Sequence, residues 1–379
     1  MRVLFISNNS SLGGAPKALL NLCREMAARG VEVGVVVPSE NGPLVPGLRA
    51  IGAEVFSGMP FSLTVRQGIL RPSKYIARER YLGKGLEEVR KYIGSVIDTF
   101  HPDIVHTNVG PLDLALDECR KRGIPHVWHL REYQTLDFGM KPYPDENSFR
   151  KKIRLEGNWN IAITQDVAKH WNLRAEDRVI YDGVFTEEQL SASGQPHPGG
   201  KFFLYAARIE KAKGLMTLLR AYRKYRSGGG QVPLMVCGRP CGLYATLCKA
   251  YASLFIGSSV SFEGVVNDVE ARMKKALAVI VPSRCEAFGF TTAEAMRCGA
   301  ILIGMDSAGT KEQLDRAKAI SGGEAGLRFR SARDLADCLA IAGQGGIEEM
   351  SARAIAAAAS YSTRRYADEV MNLYTEILS

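Results

Sequence analysis

The chain alternates between strand-like and helix-like segments along most of its 379 residues. Short runs of aliphatic and β-branched residues are followed by longer amphipathic stretches, a pattern typical of a parallel sheet covered by helices. A chain of this length is expected to form two domains rather than one. The alternation therefore predicts an α/β protein built from two doubly wound, Rossmann-like domains that face a cleft.

One stretch rich in Gly, Pro and Ser divides the alternation. It covers residues 191–200 and has the composition of a linker. It predicts a first domain over 1–190 and a second over 201–361. The amphipathic end, 362–379, is predicted to be a helix, and the polar, proline-containing segment 138–150 is predicted to be a loop over the cleft.

The apolar runs give the predicted strands, six in each half. They are 3–7, 32–37, 104–107, 126–129, 160–164 and 179–181, then 202–206, 234–237, 260–263, 279–281, 301–304 and 326–328.

Composition narrows the class of protein. Hydrophobic residues make up 46% and charged residues 23%, which is ordinary for a soluble globular protein. No apolar run reaches the length of about 18 residues that a membrane span needs. The start, residues 1–7, is predicted to be a first strand and not a signal peptide. The eight cysteines are scattered, which favours reduced thiols in a cytoplasmic protein.

The net charge of +9 indicates anionic partners. The segment 66–91 concentrates Lys and Arg, with apolar residues interleaved among them. Two interpretations of this segment stay open. It is either an amphipathic surface that binds an anionic membrane, at the inner face of the cell membrane, or a solvated basic helix face.

The densest motif follows the predicted strand that ends at residue 281. Residues 282–299 read PSRCEAFGFTTAEAMRCG, with carboxylates at Glu286 and Glu294 and a glycine between two aromatics at Gly289. Gly289 permits close backbone approach, and the start of the next helix suits a phosphate. Each carboxylate can accept two hydrogen bonds from vicinal hydroxyls. The motif therefore predicts a site for a nucleotide-sugar.

This motif resembles the donor-site signature of GT-B glycosyltransferases, in particular the retaining family 4. That signature is a Glu, a Gly three residues later and a second Glu after seven intervening residues. The resemblance implies that Glu286 binds the donor sugar, that Glu294 binds the ribose, and that Phe288, Gly289 and Phe290 contribute backbone N–H groups. It also implies a final helix that crosses back to the N-terminal domain.

A second motif follows the first strand of the second half. Arg208 and Lys213 lie at a strand end and a helix start, where they could converge on a diphosphate. The family pattern has Gly before this Arg, whereas the chain has Ala207. The chain has no Asp-x-Asp motif, so we expect these cations and a helix terminus to neutralise the leaving group without a metal cofactor.

The first half carries looser matches. Gly13 and Gly14 resemble the family's N-terminal Gly-Gly loop near the donor phosphate. His129, at a strand end, resembles a His that reaches the transferred sugar, although Leu130 follows it where the family often has Asp. In the second half, Glu312 matches a Glu that helps to order the donor loop. Weaker matches in the first half are His106, Asn108, Thr164 and Asp182.

The resemblance implies a retaining, metal-independent glycosyltransferase. It would move a sugar from a nucleotide-diphosphate sugar to a glycan or lipid-linked acceptor in cell-surface polysaccharide synthesis. Two alternatives stay open. A nucleotide-sugar epimerase of the same fold would need an acid–base set that the sequence does not show beyond His129. A basic nucleic-acid-binding protein would need a recognisable module of interleaved aromatics and cations, and none is present, so no nucleic acid is expected as a partner.

Overall fold

The computed structural model describes residues 1–57, 64–66, 72–142, 144–195 and 200–379, with the backbone alone for 64–66 and 72–84. The chain divides into two compact units. Unit 1 is Met1–Gly183 with Thr363–Ser379, and unit 2 is Val184–Ser362.

The boundary between the units lies ahead of the predicted linker. The backbone N–H groups of Val184 and Phe185 donate to the Tyr361 carbonyl over 2.8 and 3.2 Å. The Arg297 guanidinium lies 5.0 Å from the centre of the Phe185 ring. Residues 184–190, which the sequence prediction assigned to the first domain, therefore pack within unit 2.

Unit 1 contains a parallel seven-stranded sheet in the described residues. Its strand order is β3-β2-β1-β5-β6-β8-β9, a doubly wound arrangement, and β4 pairs antiparallel with β7 outside this sheet. The strands are β1 Arg2–Ile6, β2 Glu32–Val36, β3 Glu54–Phe56, β4 Thr64–Arg66, β5 Ile104–Thr107, β6 His126–Leu130, β7 Met140–Pro142, β8 Asn158–Ala162 and β9 Arg178–Val179.

The helices of unit 1 cover both faces of this sheet. They are α1 Gly14–Ala28, α2 Leu44–Ala50, α3 Pro72–Phe100, α4 Leu116–Arg122, α5 Thr135–Phe138, α6 Glu146–Ile153, α7 Gln165–Trp171 and α16 Thr363–Leu378. Side chains alternate along β1, so Val3 and Phe5 pack with α1, α2 and α16, whereas Leu4 and Ile6 pack with α3 and α4. This alternation gives the unit two cores, one on each side of the sheet.

Unit 2 repeats the design with a parallel six-stranded sheet among the described residues, in the order β12-β11-β10-β13-β14-β15. The strands are β10 Phe203–Ala206, β11 Leu234–Cys237, β12 Val260–Gly264, β13 Ala278–Val281, β14 Ile301–Met305 and β15 Leu327–Phe329. The helices are α8 Glu187–Ser191, α9 Leu215–Ser227, α10 Gly242–Phe255, α11 Val269–Met273, α12 Phe290–Cys298, α13 Ala308–Ser321, α14 Ala332–Gln344 and α15 Glu348–Ala358. Short 3-10 turns occupy Lys211–Lys213 and Ala359–Tyr361.

The structure confirms the α/β class with two doubly wound sheets, and every predicted strand overlaps an observed one. The loop prediction for 138–150 is wrong, because this segment contains β7 and the start of α6. The reason is local: the Asp145 carboxylate caps α6 by accepting the Ser148 backbone N–H over 2.9 Å, and Met140–Pro142 pairs with β4.

The sequence predicts that the chain has no membrane span and that its cysteines are reduced. No helix among them has the length and apolar character of a membrane span. All eight cysteines lie in the described part, and none forms a disulfide.

Candidate active site

The two motifs of unit 2 meet where the strand order reverses. Strand β10 lies between β11 and β13, so the chain winds outward in opposite directions from the β10–β13 pair. The segment with Arg208 and Lys213 leaves the carboxyl end of β10, and the loop with Glu286 leaves the carboxyl end of β13. Ligands of open α/β sheets bind outside the carboxyl ends of the strands at such a reversal.

Lys213 and Glu286 form an ion pair that joins the two motifs. The Lys213 ammonium donates to both carboxylate oxygens of Glu286, over 2.7 and 2.9 Å. The backbone brings them together at Gly214, whose φ of 72° lies in the left-handed region. A β-carbon there would stand 2.1 Å from the Pro282 carbonyl oxygen, so only glycine lets the two segments approach this closely.

Arg208 has a different environment. Its side chain is half exposed, and its guanidinium lies 2.9 Å from the carboxylate of Glu210. The backbone of Arg208 is fixed by a hydrogen bond, because the buried Tyr205 hydroxyl donates to the Arg208 carbonyl over 2.9 Å. The structure therefore pairs Lys213 with Glu286, the predicted sugar-binding carboxylate. Arg208, the other predicted cation, lies half exposed at the end of β10.

The aromatic-Gly-aromatic turn starts helix α12. Gly289 has a φ of 95° and is followed directly by the first helical residue, Phe290. The Phe288 ring is buried against the rings of Phe290 and Tyr361, at centre distances of 5.6 and 5.5 Å. A β-carbon at Gly289 would lie 3.5 Å from the β-carbon of Glu286. The positive end of the α12 dipole thus begins beside the carboxylate residue, as the motif predicts.

The loop between β13 and α12 is held by helix α13. The Gln313 side-chain N–H donates to the Phe288 and Gly289 carbonyls over 2.5 and 3.1 Å. The Gly309 backbone N–H donates to the Glu286 carbonyl over 2.8 Å. Sequence reasoning assigned loop ordering to Glu312 and missed Gln313, the next residue, which is fully buried.

Two buried polar atoms near Gly289 have no hydrogen-bond partner within the described parts of the chain. They are the hydroxyl oxygen of Thr292 and the amide oxygen of Gln313. Unsatisfied buried atoms are rare and concentrate at functional sites. The start of α12 therefore has hydrogen-bonding groups that the fold itself does not use.

Replacing Gly309 with alanine tests the loop clamp. The new β-carbon would stand 2.6 to 2.8 Å from the carbonyl oxygens of Glu286, Ala287 and Phe288, so the loop must move. We expect transferase turnover to fall by about tenfold or more, since small displacements of positioning groups are costly. The control is Gly228→Ala in the same unit, where the nearest atom is 3.5 Å away. Equal rates in both variants would show that the clamp does not matter.

The remaining predicted residues of unit 2 are Glu294 and Glu312. Glu294 is the fifth residue of α12, and Glu312 is the fifth of α13. Both side chains are partly exposed. Their assigned roles in ribose binding and loop ordering stay predictions.

In unit 1, His129 belongs to a buried polar network. Its Nδ1 atom lies 3.1 Å from Nε2 of His106 and 3.3 Å from the Arg131 guanidinium. His106 Nδ1 lies 2.5 Å from the Tyr374 hydroxyl on the last helix. Burial lowers the pKa of both imidazoles well below the usual value, and the Arg131 charge adds to this. Both rings are therefore neutral at physiological pH.

The network fixes the tautomer of His129. A guanidinium only donates, so Nδ1 of His129 accepts and Nε2 carries the proton. His129 Nε2 is buried and has no hydrogen-bond partner among the residues described. The ring is thus held as a neutral donor with one N–H unused. Because His129 is fully buried in this structure, the sugar contact that the resemblance implies stays a prediction.

Arg131 and Asp182 were not assigned as a pair from the sequence. The Arg131 guanidinium donates to the Asp182 carboxylate, to the Tyr366 hydroxyl over 2.7 Å and to the Asn108 side-chain oxygen over 3.0 Å. Both members of the ion pair are only 2% exposed. The sequence did contain a signal for this pair. Arg131 directly follows an apolar strand, and a charged side chain that is buried there needs a partner of opposite charge.

Gly13 and Gly14 form the start of α1. Gly13 caps the helix, Gly14 is its first residue, and both are exposed. Pro16 occupies the first turn, where proline is well tolerated. Thr164 caps α7 by accepting the Val167 N–H over 3.2 Å, which gives it a structural task.

Glu132 is a buried acid beside the network. Its carboxylate accepts the Gly110 N–H over 3.2 Å. Burial raises the pKa of the Glu132 carboxyl to about 7, and the Asp137 carboxylate adds to the rise. The protonated form is therefore favoured in the folded state, and its stabilisation is lost as pH rises from about 4.5 through 7.

Glu132→Gln is expected to remove this pH dependence. The wild-type free energy of unfolding of unit 1 should fall by about 2 kcal/mol more than that of the variant between pH 5 and 8. The three tryptophans, Trp128, Trp159 and Trp171, all lie in unit 1, so their fluorescence in urea titrations follows this unit. Parallel pH profiles for Glu132→Gln, the exposed-site control Glu156→Gln and the wild type would contradict the assignment.

The basic segment 66–91 can be compared only at its end, because the side chains up to residue 84 lie outside the described residues. Arg90 is within 3.9 Å of Glu87 and 3.5 Å of Asp113. At this position the Arg90 charge is directed toward protein carboxylates.

Among the described residues, no three His, Cys, Asp or Glu side chains are grouped to hold a metal ion.

Family models match both halves of the chain. The model described as glycosyl transferases group 1 matches residues 186–332, and that of the glycosyl transferase 4-like domain matches 13–199. Together they span 13–332, which includes every predicted site residue. No curated protein gives a significant sequence match.

Solved structures share the fold over the whole chain. Anabaena HepE in complex with UDP is 17% identical with a TM-score of 0.77, and the match covers 99% of this chain and 100% of that one. A glycosyltransferase from Rickettsia africae is 17% identical, with a TM-score of 0.73 and coverage of 100% and 98%. Sucrose-phosphate synthase from Thermosynechococcus elongatus is 16% identical, with a TM-score of 0.69 and coverage of 100% and 99%. The chain is a glycosyltransferase of the GT-B fold and belongs to the group 1, family 4 type.

Proposed function

We propose that this enzyme is a retaining, metal-independent glycosyltransferase. It transfers a sugar from a nucleotide-diphosphate sugar to a glycan or lipid-linked acceptor in cell-surface polysaccharide synthesis. The observation that carries the proposal is the contact of Lys213 with Glu286 beside the start of α12, at the strand-order reversal of unit 2. A cation, a carboxylate and a helix N-terminus in one place suit a phosphate joined to a polyhydroxyl group.

The diphosphate is the part of the donor that needs positive charge. Lys213 lies at the strand reversal, and Arg208, half exposed and paired with Glu210, lies at the end of the same strand, β10. The α12 terminus adds a fixed partial charge. Such preorganised groups stabilise charge that develops on a leaving group without reorganising during the reaction. This is the support for a reaction that needs no divalent ion.

The donor sugar would displace Lys213 from part of the Glu286 carboxylate. Glu286 then accepts hydroxyl protons of the sugar while Lys213 turns to the phosphate. Glu294 is proposed to bind the ribose, and the neutral Nε2–H of His129 to donate to the transferred sugar. In this assignment each residue binds or orients the donor, and none forms a covalent bond with it.

The transfer itself balances without a protein nucleophile. The bond from the anomeric carbon to the phosphate oxygen breaks, and the acceptor oxygen forms its bond to that carbon on the same face. The acceptor proton moves to the leaving phosphate. Retention of anomeric configuration follows from attack on the face that the phosphate leaves.

The acceptor side is proposed from the resemblance and the charge. A cytoplasmic enzyme that glycosylates a lipid-linked acceptor needs access to a membrane surface, and the basic segment 66–91 is the predicted contact. Neutralising Arg78, Arg80 and Lys84 should weaken binding to anionic vesicles. Unchanged vesicle binding would remove this part of the proposal.

A donor panel tests the proposed reaction. UDP-, GDP-, ADP- and TDP-sugars are incubated with the enzyme, with and without EDTA, and released nucleoside diphosphate is measured. Uridine donors come first, because HepE was solved with UDP and with UDP-glucose. We expect turnover of one donor class, unaffected by EDTA, and a product whose anomeric proton coupling matches the donor. Turnover abolished by EDTA or an inverted product would refute the mechanism, and an epimerised donor without transfer would favour the epimerase.

A further inference from the structure

Helix α10 of unit 2 presents an apolar stripe to solvent. Its leucines Leu243, Leu247 and Leu254 are 83, 62 and 76% exposed. They lie at spacings of four and seven residues, so all three project from one side of the helix. The buried side is opposite and is made of Ala245, Cys248 and Ala252. The helix is therefore apolar on both faces, although only one face packs on the sheet.

The stripe lies in a stretch without acidic residues. Residues 211–262 contain no Asp or Glu and eight cations. The cations are Lys211, Lys213, Arg220, Arg223, Lys224, Arg226, Arg239 and Lys249. Against a net charge of +9 for the whole chain, this stretch holds most of the positive excess.

Cations flank the stripe on both sides. On the α9 side, the Arg223 guanidinium lies 5.0 Å from the ring centre of Phe255, the last residue of α10. Helix α9 is fixed there because the Met216 N–H donates to the Tyr244 hydroxyl over 2.9 Å. On the β12 side, the Lys249 ammonium lies 5.8 Å from the Phe262 ring centre. A leucine ridge with a cation on each side is the arrangement of a helix that lies in a membrane interface.

We propose that α10, with Arg223 and Lys249 at its sides, docks on an anionic lipid surface. Exposed apolar side chains of this extent are costly unless a partner covers them. A second copy of the chain suits the leucines but not the charge, because a two-fold contact through this face brings cations against cations. Anionic headgroups with an acyl layer beneath satisfy both features.

Vesicle sedimentation with the full-length protein tests the surface. Phosphatidylcholine vesicles with and without phosphatidylglycerol are compared for the wild type and for the triple variant Leu243→Ser, Leu247→Ser, Leu254→Ser. We expect the wild type to bind the anionic vesicles and the triple variant to bind roughly a hundredfold more weakly. Arg223→Gln and Lys249→Gln should each weaken binding by about fivefold.

The matched control is the double variant Ile320→Ser, Ile341→Ser. These exposed apolar residues lie on α13 and α14 of the same unit, and their loss should leave vesicle binding unchanged. Wild-type affinity in the triple variant, or no binding by the wild type, would overturn the proposal. A wild-type dimer that the triple variant dissolves in the absence of vesicles would assign the face to a second copy instead. No donor is present, so the result is independent of the proposed transfer reaction.

Discussion

Lys213→Ala is expected to lower sugar transfer by about 10²- to 10³-fold while the protein stays folded. The lost ammonium is the cation nearest the site, with both contacts to Glu286 under 3 Å. Removal of one preorganised charge-stabilising group costs this much in other enzymes. The substitution also leaves the Glu286 carboxylate without its counter-charge, where it would repel a diphosphate. Both effects act on the donor, so steady-state rates should fall at every acceptor concentration.

Lys211→Ala is the matched control for this prediction. Lys211 begins the same short 3-10 turn and is exposed, two residues before Lys213. Its removal changes the net charge equally but leaves the carboxylate contact in place. We expect near-wild-type turnover. If both variants were equally slow, general electrostatics and not the Lys213 position would explain the loss.

Arg131→Met is expected to destabilise unit 1 by about 3–5 kcal/mol. Methionine keeps much of the side-chain volume but leaves Asp182 without its main counter-charge in a site that is 2% exposed. Breaking one side of a buried ion pair has this cost, because the remaining charge stays desolvated. The Tyr366 hydroxyl and the Asn108 side-chain oxygen would lose their donor too. Tryptophan fluorescence in urea should show the shift, as all three tryptophans belong to this unit.

Arg178→Met provides the comparison. Arg178 pairs with Glu376 of the last helix over 3.0 Å, but the two side chains are 40 and 49% exposed. Exposed pairs contribute about 0–1 kcal/mol. Equal destabilisation by the two variants would mean that the Arg131 network is no stronger than a surface ion pair.

The part of the fold that could be predicted is the part that local patterns specify. Strand periodicity located every strand of the two large sheets except β3, which has only three residues. In unit 2 the motifs that contain Arg208, Lys213, Glu286 and Gly289, with their resemblance to a donor-site signature, were enough to locate the two loops. The doubly wound order then brings these loops to one sheet edge.

The contacts that sequence reasoning missed join distant positions. Arg131 meets Tyr366 across 235 residues, and Gln313 meets Phe288 across 25. No local pattern links such residues, because the pairing depends on how helices lie on the sheet. The buried state of His129 was missed for the same reason, since its neighbour His106 lies on β5, 23 residues earlier in the chain. The α10 stripe was hidden because buried and exposed leucines look alike in a sequence.

Hydrogen–deuterium exchange with and without donor tests whether the nucleotide-sugar binds at the loops that follow β10 and β13. Saturation with the nucleotide-sugar that the enzyme turns over, or with its nucleoside diphosphate, should slow amide exchange in two peptides of unit 2. These cover residues 207–215, after β10, and 284–294, through the start of α12. The protection should disappear in Lys213→Ala and persist in Lys211→Ala. Protection that falls elsewhere in the chain, or an unchanged exchange pattern at saturating donor, would contradict the assignment of the donor site.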